Sequence, residues 1–124
     1  MPENFREFQA GPDPFGRTWQ VHFDWLQNGI SIRHADTIDV KFGVSTSGQP
    51  FEERVIALPH TALLAASQAT GHALTDAWCL KIATLHVKHM LATGEDLEKT
   101  LITVPQEEIE QYARSLKLTV ASSR

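Results

Sequence analysis

Between Arg17 and Trp25 apolar and polar residues alternate, with Trp19, Val21, Phe23 and Trp25 on one side and Thr18, Gln20, His22 and Asp24 on the other. A period of two predicts a half-buried strand. Asn28-Gly29 follows, and both residues tolerate the positive φ of a tight hairpin turn, so Ile30-Ser31-Ile32-Arg33 is expected to return antiparallel. After His34-Ala35-Asp36, a bulge or short turn, alternation resumes at Ile38, Val40, Phe42 and Val44. Ser45 to Pro50 reads as a loop, and Phe51 to Leu58 as a further strand whose apolar end lies deeper than its charged start.

At Pro59 the period lengthens. Proline suits the first turn of a helix, and a short alanine-rich helix runs over 59–70 until Gly71. The longest helical signal covers 76–93. At about 100° per residue, Trp78, Cys79, Ile82, Leu85, Val87, Met90 and Leu91 sweep most of its circumference, leaving a polar seam at Lys81, Thr84 and Lys88. Thr75 or Asp76 caps its start, and Gly94 suits the left-handed residue after its last turn. Thr100 to Val104 reads equally as a short strand or an extended connection. Pro105 opens a last helix over 105–116, with Glu107 and Glu108 favourable at the positive end of its dipole.

Strands followed by helices are the pattern of an α+β fold. The expected architecture is an antiparallel sheet of about four strands, residues 17–58, with three helices, 59–70, 76–93 and 105–116, covering one sheet face. Residues 1–16 form an aromatic N-terminal arm, 17–117 a single α+β domain, and 118–124 a tail that frays.

Composition narrows the function classes. A chain of 124 residues fits one domain, and 11 basic against 15 acidic residues give a formal charge of −4. Without a Lys/Arg cluster to meet phosphates, nucleic acid is not an expected partner. No window reaches the roughly 18 uncharged apolar residues of a membrane span. The N-terminus lacks the basic-then-apolar layout of a secretory signal, and the single cysteine, Cys79, can close no intrachain disulfide. A cytoplasmic protein is expected.

Three chemistries have residues to support them. Cys79, His86, His89 and Met90 are metal ligands by type, and Cys79, His86 and Met90 can share a helical face, but His86 and His89 are an i, i+3 pair with no neighbouring carboxylate on that helix, and no CxxC or HExxH pattern accompanies them. The plainer reading is a packed thiol and core histidines hydrogen-bonded to backbone or water. His22 and Asp24 point the same way on the first strand, as a carboxylate-oriented base would, and a solvated face with cross-strand ion pairs is the competing reading. Glycine-rich phosphate loops and nucleophile elbows are missing from the sequence, and no cofactor is expected.

Association is the third. The aromatic arm, with Phe5 and Phe8, and the tryptophans Trp19 and Trp25 exceed what one small sheet obviously covers, and they are the candidate interface. The reading favoured by sequence is therefore a non-enzymatic domain that associates with itself or with a protein partner. Its rival is a small ligand- or metal-binding protein, or an enzyme, using His22/Asp24 or Cys79/His86/His89.

Overall fold

The computed structural model describes residues 7–29, 36–46 and 48–122. Five strands and three helices follow one another as β1 (Glu7–Ala10), β2 (Trp19–Gly29), β3 (Thr37–Thr46), β4 (Glu52–Pro59), α1 (His60–Thr70), α2 (Asp76–Thr93), β5 (Leu101–Thr103) and α3 (Gln106–Ser122). The class is α+β, and the strands lie side by side in chain order. The first four pair antiparallel, while β5 returns parallel to β4, so the sheet is mixed and one strand wider at the C-terminal edge than expected. Residues 100–104 thus extend the sheet: Val55 N–H donates to the Thr100 carbonyl at 2.7 Å and Val104 N–H to that of Ala57 at 3.0 Å.

The opposite edge also differs from expectation. Residues 7–10 of the supposed arm are strand β1, paired with β2 from Glu7 opposite His22 to Ala10 opposite Trp19. The arm turns back at Gly11 to Arg17 around Asp13, whose side chain is wholly buried. Its carboxylate accepts from the N–H groups of Phe15 and Arg17, each at 2.9 Å, from Arg17 Nε at 2.7 Å and from Trp19 Nε1 at 3.1 Å. Removal from water pushes the Asp13 pKa up. The donors from Arg17, Trp19 and Phe15 overcome that and hold it down at about 2.

Asn28-Gly29 does not make the tight hairpin turn. Both residues remain in the ladder, opposite Ile38 and Thr37. The expected return strand Ile30 to Arg33 lies outside the described residues, as does Phe5.

One core joins the sheet to all three helices. Ile38, Val40, Phe42 and Val44 of β3 and Ile56 and Leu58 of β4 face Leu63 of α1, Ile82, Met90 and Leu91 of α2, and Ile109 of α3, all nearly or fully buried. Each large side chain so buried contributes about 1.5–3 kcal/mol. The ends of α2 obey local rules. The Thr75 hydroxyl accepts from Trp78 N–H at 3.2 Å, and Gly94, at φ 79°, donates to the Met90 carbonyl at 2.8 Å. Its expected polar seam is narrower than the sequence suggests, because Thr84 is fully buried. A helix held between the sheet and α3 has little surface left for water. The last helix reaches Ser122, beyond the expected end at 116 and into the tail expected to fray.

Candidate functional site

With the helices on one side, none of the described elements covers the other face of the sheet. The ladders set its residues in transverse rows. Leu101 of β5, Val55 of β4, Lys41 of β3 and Trp25 of β2 form one row, and Glu53, Gly43, His22 and Glu7 form the next.

Trp25 reaches this face through a bulge. Phe23 pairs with Phe42 and Trp25 with Lys41, so Asp24 is the extra residue. One additional residue inverts the in/out alternation. The expectation that Trp19, Val21, Phe23 and Trp25 share a face therefore holds only as far as Phe23. Leu26, opposite Val40, takes the core side, and Trp25 lies half-buried on the open side with Lys41 Nζ 5.7 Å from its ring centre. Lys41 also pairs with Glu53 at 2.6 Å, so the charge in this row is balanced within the chain.

His22 Nε2 lies 3.0 Å from Asp24 Oδ1, and each side chain is about one-third exposed. The ring rests over Gly43, its partner across the ladder, and against Phe51, with centroids 4.6 Å apart. Beside it a shallow cleft of about 370 Å³ is bordered by Glu7, Gln9, Gln20, His22 and Phe51. The pairing of His22 with Asp24 follows the sequence expectation. The contributions of Gly43, Phe51 and β1 do not, since each depends on a distant strand; a glycine at a facing position of a strand is the one signal that hinted at a close approach.

The other expected interface residues separate. Trp19 is 7% exposed, and its indole is engaged by Asp13, so in this chain it serves the core. Phe8 is half-buried against the core, with Lys88 Nζ 5.2 Å from its ring centre. Phe51 and Leu101, which the pattern did not single out for the surface, are 52% and 60% exposed.

The metal candidates do not converge. Cys79 is buried, and loss of water, reinforced by Asp76, pushes its thiol up to about 11. His86, seven residues on, shares its face but stands two turns away, about 10 Å along the axis. Its Nδ1 is 2.8 Å from the Tyr112 hydroxyl of α3. Desolvation, helped by His89, brings the His86 pKa down to about 4, and Tyr112 is raised by its own burial and by Glu108 and Glu95. His89 turns outward to Glu95, 3.4 Å away. Among the described residues no three His, Cys, Asp or Glu side chains are grouped to hold an ion, and no helix is long and apolar enough to cross a membrane.

Compared with protein-family models, curated proteins and solved structures, the chain finds no match.

Proposed function

We propose that this chain is a non-enzymatic cytoplasmic module that associates with a second copy of itself through the open face of its sheet. The observation that carries the reading is the row Leu101, Val55, Lys41 and Trp25, in which an exposed leucine and a half-buried tryptophan lie on a face that the helices leave bare. An open antiparallel face meets either water or another protein. Apolar bodies on it gain by being covered.

A two-fold pairing sets each residue near its own copy, so an uncompensated charge there would repel itself. Lys41 is neutralised by Glu53 of the same chain and does not oppose such a contact. The buried free thiol of Cys79 suits a reducing compartment.

Sedimentation velocity over a concentration series tests this. The wild type is expected to sediment as a dimer that dissociates on dilution, and Leu101→Lys or Trp25→Glu to give a folded monomer. A wild type that remains monomeric at high micromolar concentration overturns the proposal.

A second reading has the His22–Asp24 contact in its favour. A carboxylate on one ring nitrogen orients an imidazole as in acid–base sites. The shallowness of the adjoining cleft favours binding over enclosed chemistry, which needs water excluded.

A further inference from the structure

We infer that the cleft between β1, β2 and Phe51 is a binding site for a small, flat aromatic amine carried as its ammonium ion. The cleft opens on the same face of the sheet as the pairing proposed above, one row along, and the observations that carry it are separate from those behind that reading.

The shape is suited to a ring. Phe51, 52% exposed, stands tilted against His22 at 4.6 Å, and the pair forms an aromatic wall beside a floor of strand backbone. A β-carbon at residue 43 would lie 2.5 Å from His22 Cε1, so the imidazole lies down on the sheet only because its partner is glycine. Asp24 holds Nε2 at 3.0 Å, which fixes the ring plane. A volume of about 370 Å³ sits at the small end of ligand sites, enough for a bicyclic ring and a short chain.

The charge selects the sign of the ligand. Glu7, opposite His22 in the ladder, is exposed at the rim, and no cation among the described residues pairs with it. Among the described residues, Lys41 is held by Glu53 and Arg54 by Glu52 at 3.2 Å. Glu7 is the carboxylate that borders the cleft, while Asp24 is engaged with His22 Nε2 and is not part of its lining. Gln9 and Gln20, opposite each other, add amide oxygens that accept from an N–H donor. Aromatic faces, carboxylates and amide carbonyls together recognise a cation borne on an apolar ring.

The probe is tryptamine, with indole-3-acetate as the same ring bearing the opposite charge. The two are titrated into the full chain while the backbone amides of Gln9, Gln20 and His22 are followed by heteronuclear NMR. Saturable shifts at these amides with tryptamine, and none with indole-3-acetate, are expected. Glu7→Gln and Phe51→Ala each alter an exposed side chain and leave the core intact; each is expected to weaken tryptamine about tenfold, the loss of one charge-assisted or aromatic contact. Equal binding of both probes, saturation elsewhere on the protein, or no saturable shift overturns the inference.

Discussion

Gly43 is the space in which His22 lies: a β-carbon on residue 43 would come within 2.5 Å of Cε1 and 2.6 Å of Nε2 of the imidazole. The ring has little room to retreat, because Asp24 holds one end and Phe51 leans on its face. Gly43→Ala is therefore expected to destabilise the chain by about 1–3 kcal/mol, the usual range for overpacking. Urea denaturation measures it. His22→Ala in the same chain removes the obstacle and is expected to recover most of the loss, a coupling that a double-mutant cycle reads directly. A neutral Gly43→Ala alone would mean that the imidazole moves aside freely.

The His86–Tyr112 contact links α2 to α3 and makes stability depend on pH. His86 titrates in the folded chain at about 4, below its ordinary 6.5, because burial disfavours the imidazolium and His89 adds to the effect. Asp96 and Glu95 act the other way, while the group facing it from α3, Tyr112, stays neutral in this range. Between these two values the unfolded chain binds the extra proton and the folded chain does not. Stability is thus complete above pH 6.5 and falls as the pH drops towards 4, by at most about 3 kcal/mol. Thermal melts at intervals from pH 7 to pH 4 are expected to show this slope for the wild type and a shallower one for His86→Phe.

Asp13 makes stability depend on pH in the sense usual for a carboxylate paired in the folded chain. Its folded pKa is depressed from 3.8 to about 2, so the stability it supplies is present above 3.8 and lost as the pH falls through 2. Asp13→Asn cannot accept all four donors and carries no charge for Arg17. At neutral pH this variant is expected to melt below the wild type, and acid titration between those pH values is expected to narrow the difference. Parallel curves for the two proteins at every pH would contradict the role assigned to the carboxylate.

Asp24 separates two effects that alanine scanning alone would confuse. Asp24→Ala keeps the bulge and removes only the partner of His22, so the fold is expected to persist with a change confined to the open face. Deleting Asp24 instead removes the extra residue and leaves Phe23 opposite Phe42, Trp25 opposite Lys41 and Leu26 opposite Val40 in an unbroken ladder. That variant is expected to unfold cooperatively with Trp25 and Leu26 on their present faces, with circular dichroism and NMR dispersion as the readout.

Sequence alone determined the features governed by neighbours a few residues away. Thr75 and Gly94 bound α2 because a cap hydroxyl and a left-handed glycine act within one helical turn. The alternation of Ile38, Val40, Phe42 and Val44 assigned β3 its buried face because the pleat is intrinsic to a strand. His22 and Asp24 were legible as a pair because they are two residues apart. Tertiary structure decided the rest. Asp24 became a bulge through the pairing of Phe23 and Trp25 with consecutive residues of β3, which reversed the placement of Trp25. Residues 7–10 and 101–103 became edge strands because partners in β2 and β4 were available to take their hydrogen bonds. Thr84 was buried by elements on both sides of α2, and His86 met Tyr112 from 26 residues away. Phe51 joined His22 only across the width of the folded sheet. Capping and pleating are decided within a few residues, whereas register, edge pairing and side-chain meetings depend on distant segments arriving together in the packed chain.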